Sequence, residues 1–376
     1  MQWNVQVVDS GGYTGLYNSI AVDGQGLPHI AYREVIPEER LRYAHWDGTK
    51  WALSTVDEGP SAGQRASIAV DSKGRPHISY RLLKDQVTDQ VRYARWNGSA
   101  WQIFIVESFP GVSIQTTSIV LDGNDLPHIA YIHIGQVFRR IDPLPLFVDK
   151  VKYARPTGPS TWQINQLESR EHVPGAVFSI SLSLDSQGRP HLAYPLYVFP
   201  LSAQAPYKID LRYSRVENGI WRRSTIESYD WDIPSTSIAM TLDHNGTAIV
   251  VYRTGNSIRQ GTLVGFQVNG TSAKSTWETV NIDRVAPPTV DVNVAMDSSG
   301  RVHVFYSDFA QKSFVLKYAV RLEHHWQKRT VDSIVAGNQN AIVVALDASL
   351  AVMPGGTPQV SYYDPVGVDL KYATAA

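Results

Sequence analysis

The chain has 376 residues with 10 Trp, 19 Tyr and no Cys, and its 34 Lys and Arg against 35 Asp and Glu leave a net charge of −1. A chain this long can bury a large core without covalent or metal staples. The lack of Cys excludes a disulfide framework, a thiolate zinc site and a Cys nucleophile. The flat charge argues against a general nucleic-acid binder, and no apolar run reaches the length of a membrane span.

Met1 leads straight into Gln2, Trp3 and Asn4 with no basic-then-apolar leader. The expectation is either a cytoplasmic protein or one whose signal peptide was removed. The first predicted strand holds Trp3, Val8 and Asp9. From there one pattern recurs seven times. It starts as an apolar stretch ending in Asp, usually followed by x-x-Gly; the residues read this way are Asp23, Asp71, Asp122, Asp185, Asp243, Asp297 and Asp347. Pro-His-apolar-small-Tyr follows, as in Pro28 to Tyr32 and Pro76 to Tyr80. After a variable gap comes apolar-basic-Tyr-Ala, as in Leu41 to Ala44 and Leu316 to Ala319. Last is Trp, four residues, an aliphatic and an acid, as in Trp51 with Val56 and Asp57.

Each segment is five to eight residues long, rich in Val, Ile, Tyr and Trp, and bounded by Asp-x-x-Gly, Asn-Gly or Asp-Gly turns, so each reads as a strand. Four strands per unit and about 50 residues per unit, seven times over, predict an all-β, seven-bladed β-propeller with four antiparallel strands per blade. The Trp motif is present at Trp51, Trp101, Trp162, Trp221, Trp277 and Trp326, and the seventh copy is Trp3. The chain stops after Leu370-Lys371-Tyr372-Ala373, where a Trp strand is due. Residues 1–9 are therefore expected to supply the outer strand of the blade formed by 341–376, closing the ring within one domain spanning 1–376 and removing the open edge. The Asp-x-x-Gly-x-Pro-His and Tyr-Ala-x-Trp-x-Gly-x-x-Trp wording resembles repeats of bacterial secreted or surface proteins. That resemblance implies the propeller fold and an extracellular or periplasmic location, but no particular activity.

The seven copies act as controls on one another. The recurring Asp is read as a turn residue accepting from backbone N–H groups, not a calcium ligand, because alternating oxygen ligands are missing. His29, His77, His128, His191 and His303 occupy one strand position around a ring, so they are not expected to converge on a metal. Neither a metal nor a cofactor is expected. A basic residue on the third strand (Arg42, Arg92, Lys152, Arg212, Arg259, Lys317, Lys371) and an acid on the fourth (Asp57, Glu107, Glu168, Glu227, Asp283, Asp332, Asp9) predict seven ion pairs, each on one face of a hairpin. Asn97, Asn245 and Asn269 begin glycosylation sequons that also read as Asn-Gly turns.

The repeat accounts for 9 of the 10 Trp and 13 of the 19 Tyr. Left over are Trp231 with Tyr13, Tyr17, Tyr197, Tyr207, Tyr229 and Tyr363, all expected on the face that carries the long second-to-third and blade-to-blade loops. Two insertions lie there: 132–150 in blade three, with Arg139, Arg140 and Asp142, and 195–210 in blade four. Long loops in a compact domain are usually functional. His133 and His172 belong to the same region.

Three functions are weighed. The leading one is carbohydrate binding at one asymmetric site near blades three and four, with Tyr13, Tyr17, Tyr229, Trp231 and Tyr363 as stacking platforms and Arg139, Arg140 and Asp142 as polar contacts. The second is a polysaccharide lyase or hydrolase, with His133 or His172 as acid–base group, Tyr197 or Tyr207 as its partner, or two facing carboxylates. The third is a protein-interaction scaffold. Nucleotide binding lacks its Gly-rich motifs, and a monomer with no nucleic-acid partner and no membrane span is expected.

Overall fold

A computed structural model of the chain describes residues 2–85, 87–137, 146–172, 179–198, 208–230, 237–269, 272–286, 291–310, 313–323, 325–335 and 347–375, with backbone only at 136–137, 146–147, 170–172, 197–198, 269 and 272. It is an all-β ring of seven four-stranded antiparallel blades: the chain is a seven-bladed β-propeller. From axis to rim, blade one is Tyr13–Val22, Pro28–Ile36, Arg40–Trp46 and Trp51–Glu58. The inner strands of the next five blades are Gln64–Val70, Val112–Leu121, Ser181–Leu184, Ile238–Leu242 and Val292–Met296. Blade seven takes Ala348–Val352, Pro358–Asp364 and Asp369–Ala375 from the C-terminal end of the chain and Trp3–Asp9 from the other, with Trp3 opposite Ala375. Among the described residues no helix is long and apolar enough to cross a membrane.

Second strands are buried on both faces, and so they read as near-continuous apolar runs, such as Pro28-His29-Ile30-Ala31-Tyr32. The core is a set of clusters between neighbouring blades. One joins Leu41 of blade one to Ile78 and Tyr80 of blade two, with Trp101 packed against it. The outer-strand Trp lies edge-on to the third-strand Tyr of the preceding blade, as Trp101 does to Tyr43, Trp162 to Tyr93 and Trp3 to Tyr318, with ring centroids 5.3, 5.6 and 5.4 Å apart.

The ion pairs predicted within each hairpin do not form: among the described residues, six of the seven fourth-strand acids meet the third-strand base of the next blade instead. Each outer strand carries a one-residue slip just before its acid: Asp57 lies opposite Leu41, while Arg42 lies opposite Thr55. The same slip recurs in the six other hairpins. A bulge turns the acid to the face opposite its own hairpin's base, towards the next blade. Asp57 thus takes Arg92 at 2.8 Å and the Tyr80 hydroxyl at 2.6 Å. Glu107 takes Lys152 at 2.6 Å and Tyr131, Asp283 takes Lys317 at 3.2 Å and Tyr306 at 2.9 Å, and Glu227 takes Arg259 and Tyr252. Across the closure, Asp9 accepts from Tyr32 at 2.6 Å, with Arg42 at 3.9 Å. Two interfaces vary the scheme: Tyr194 shares a hydrogen bond with Ser214 instead of an acid, and Lys371 pairs with Asp364.

The turn Asp residues behave as read in six blades. Asp23 Oδ1, for example, accepts from the N–H groups of Gln25 and Leu27, each at 2.9 Å. The seventh assignment is corrected. Met353 occupies that turn, its N–H bonded to Thr357 and its carbonyl to Gly356, and Asp347 lies six residues earlier, at the head of the blade-seven inner strand. The five second-strand His residues each hydrogen-bond a third-strand Tyr of their own blade through Nδ1, at 2.5–2.6 Å. Burial holds them below the usual imidazole range. Asn97 Oδ1 accepts from the Ser99 and Ala100 N–H groups, as a turn residue does.

Candidate functional site at the axial channel mouth

The seven inner strands line a channel along the ring axis, opening on the long-loop face into a cavity of about 270 Å³. Its wall is made of short polar side chains, because the inner strands of adjacent blades lie too close for large ones. Four residues before the turn residue, in five of the seven blades, a Ser hydroxyl accepts from an inner-strand N–H of the next blade, and blade five has Ala239 there. Ser19 takes Ile68, Ser67 takes Ile119, Ser118 takes Leu182 and Ser349 takes Ile20, each at 3.2 Å. Ser181 takes Met240 at 3.0 Å. Asn293 varies the theme by donating to the Ala348 carbonyl at 3.0 Å. This belt is architecture, since it recurs.

Two residues closer to the mouth the ring is unlike from blade to blade: Tyr17, Arg65, Thr116, Ser179, Ser237, Asp291 and Asp347, all on the cavity wall. Several still cap a neighbouring N–H. Ser179 takes Ile238 and Ser237 takes Val292, both at 3.1 Å. Asp347 does the same job with a carboxylate, accepting from the Tyr17 N–H at 2.8 Å, and the Asp291 carboxyl accepts from Ala348. A hydroxyl makes that cap at no electrostatic cost. Two carboxyls on adjacent blades in a confined space do not: burial raises both above the usual carboxylate range, and the charge of Asp347 raises Asp291 further. Arg65 opposes the rise in both. Its guanidinium lies over the Tyr17 ring, 4.7 Å from the centroid. Both residues sit at positive φ, +57° for Arg65 and +50° for Tyr17, an uncommon backbone region for side chains of this size. Acid pair, cation and aromatic thus share one cavity, where the charge of one carboxyl raises the proton affinity of the other.

The residues singled out in the sequence fall differently. Tyr17 is on the cavity wall. Tyr13 is in the blade-one inner strand, with its ring 5.7 Å from that of Tyr363. Tyr363 is fully buried, a core residue and not a surface platform. Tyr229 is in the outer strand of blade four, against the core shared with blade five, and its hydroxyl reaches the Arg253 carbonyl at 3.4 Å. His133 is buried in blade three, its ring 4.3 Å from that of Phe109, and neither ring nitrogen has a hydrogen-bond partner. Burial, and then Lys152 and Lys150, push its pKa down to about 3. It therefore stays neutral and enclosed. For His172 and Tyr197 only the backbone is described: His172 pairs with Phe147 and Tyr197 with Ile209. Arg139, Arg140, Asp142, Tyr207 and Trp231 lie outside the described residues.

Sequence reasoning missed Arg65 and Asp291 and misplaced Asp347. Aligning Met353-Pro354-Gly355-Gly356-Thr357-Pro358 with Asp23-Gly24-Gln25-Gly26-Leu27-Pro28 restores the register, and counting back six residues then returns all seven mouth positions.

No family model and no curated protein matches the chain. Among solved structures it is similar to a protein of unknown function from Dyadobacter fermentans DSM 18053, with TM-score 0.54, 12% identity and coverage of 98% of both chains. It is also similar to the α-L-arabinofuranosidase Arb93A of Fusarium graminearum solved with an iminosugar inhibitor (TM-score 0.51, 12% identity, 82% of this chain and 92% of that one). A third likeness is to the lectin SapL1 in complex with α-methyl fucoside (TM-score 0.48, 15% identity, 83% and 95%). At these identities the likeness is one of fold.

Proposed function

We propose that the protein binds carbohydrate at one asymmetric site on the long-loop face, with its floor in the axial mouth. The observation that carries this reading is the replacement of the neutral Ser caps of blades four and five by Asp291 and Asp347 in blades six and seven, next to Arg65 and Tyr17. An ionised carboxylate accepts from sugar hydroxyls and a protonated carboxyl also donates to them, Arg65 donates, and the small cavity admits one sugar unit and not a flat apolar ligand. The walls of the mouth are not repeated sevenfold, so one ligand per ring is expected.

The acid pair also favours a second reading, glycoside hydrolysis. Hydrolysis needs one carboxyl protonated and one ionised, and Asp291 is lifted further than Asp347 because it feels the other's charge. Asp291 is then the acid and Asp347 the base or nucleophile. A lyase route through His133 gains no support from a ring enclosed against Phe109. A glycan array, followed by reducing-end assays on aryl glycosides and on whichever glycans are retained, tests both. Retention without product is binding, and retention with product lost in Asp291→Asn is hydrolysis. Absence of both refutes the site's carbohydrate role.

A further inference from the structure

The opposite face carries an arrangement that, among the described residues, only one blade has. In five blades a second-strand His points towards its turn Asp, with His Nε2 to Asp Oδ2 distances of 3.7, 3.5, 3.7, 3.6 and 3.1 Å in blades one, two, three, four and six. In blades two, four and six an Arg four residues after the Asp occupies the same carboxylate oxygen at 2.6–2.7 Å: Arg75, Arg189 and Arg301. Blades one and three have Leu there, Leu27 and Leu126, whose N–H binds the other oxygen, so Oδ2 of Asp23 takes no guanidinium from that position.

The residue across the hairpin from that His differs too. It is Arg95 in blade two, Arg215 in blade four and Val320 in blade six, but His45 in blade one. The His45 and His29 rings are 4.3 Å apart. Nitrogen atoms of both and an oxygen of Asp23 all lie within 4.8 Å of one another. His29 is 1% exposed, its Nδ1 is bonded to the Tyr43 hydroxyl at 2.5 Å, and its Nε2 has no hydrogen-bond partner while facing Asp23.

We infer that Asp23, His29 and His45 form a binding site for one borderline divalent transition-metal ion, of the Zn(II) kind. Two imidazole nitrogens and a carboxylate oxygen are its usual donors, and ligands about 2.0–2.2 Å from a tetrahedral ion lie roughly 3.4 Å apart, within a small side-chain rotation of the present spacing. The supporting contacts are already made. The Tyr43 hydroxyl holds the His29 ring through Nδ1, leaving Nε2 on the side of Asp23, and the Gln25 and Leu27 N–H groups hold Asp23 through the oxygen that does not face the ion. The half-exposed side of His45 leaves a fourth position for water. This site is independent of the axial mouth and of its ligand.

The test uses the full chain, free of any tag and stripped with chelator, titrated calorimetrically with ZnCl₂ alone and followed with Co(II) by visible absorption. The result expected is one equivalent bound, with micromolar or tighter affinity, a tetrahedral Co(II) spectrum and a higher melting midpoint with Zn(II). His45→Arg, which copies blades two and four and so keeps the hairpin, should weaken binding at least 100-fold with the metal-free melting midpoint unchanged. His191→Gln, in blade four, should leave the titration as in wild type. No saturable binding below millimolar Zn(II), or binding that survives His45→Arg, overturns the assignment.

Discussion

The latches between blades and the axial mouth are made from the same repeat and from the same residue types, yet charge is handled in opposite ways. At five of the latches the acid meets both a cation and a Tyr hydroxyl, as Asp57 meets Arg92 and Tyr80, so its charge is neutralised locally. At the mouth two acids stand on neighbouring blades, share one Arg65 and are raised in pKa. The first arrangement recurs around the ring and stabilises it. The second occurs once and costs stability, which is the mark of a position kept for something other than folding.

The contrast can be broken from either side. The largest effect belongs to ring closure. Deleting residues 1–9 removes the outer strand of blade seven and the latch of Asp9 with Tyr32; a fall in melting midpoint on the order of 10 °C or more is expected by calorimetry. Next is a single latch. Asp57→Ala leaves Arg92 and the Tyr80 hydroxyl without their partner in a largely buried setting, and should cost about 3 kcal/mol in denaturant unfolding. Tyr80→Phe should cost more than Tyr194→Phe, about 2 against about 1 kcal/mol, because Tyr80 donates to a carboxylate and Tyr194 shares a bond with Ser214.

At the mouth the sign reverses. Asp291 has a folded-state pKa above its unfolded one, so the stability linked to its proton is full below the ordinary carboxylate range and is lost as pH rises through the raised value. Asp291→Asn keeps the cap and deletes the charge. Its melting midpoint should exceed wild type by roughly 1–3 °C at pH 8, with the gap closing towards pH 4. The smallest effect is expected at His133→Phe, which replaces two unpartnered buried ring nitrogens with carbon. It should be neutral near pH 7 and mildly stabilising near pH 4. The buried neutral imidazole, with a pKa of about 3, costs the wild type stability as pH falls below the ordinary His range.

The ring and its closure were legible because they rest on repetition: seven Trp motifs, one displaced to Trp3, admit one topology. The partners of the latch were not, because a bulge shifts register by one residue, and neither Leu41 nor Arg42 shows which of them faces Asp57. Tyr363 looked spare for a similar reason. It follows a repeated Tyr in the strand, and only packing against Tyr13 shows it to be core. The acid pair was hidden by the search for an Asp at every turn, which assigned Asp347 to a position held by Met353. His45 stood in a strand with nothing in the sequence to mark that its partner across the hairpin is His29.

The most direct test of the mouth is calorimetric titration of the best-retained glycan into wild type, Asp347→Asn and Asp57→Asn at one pH. The account predicts one site per chain, binding weakened at least tenfold by Asp347→Asn, and affinity unchanged in folded Asp57→Asn despite its lower stability. Equal affinity in wild type and Asp347→Asn, or several equivalent sites around the ring, would contradict it.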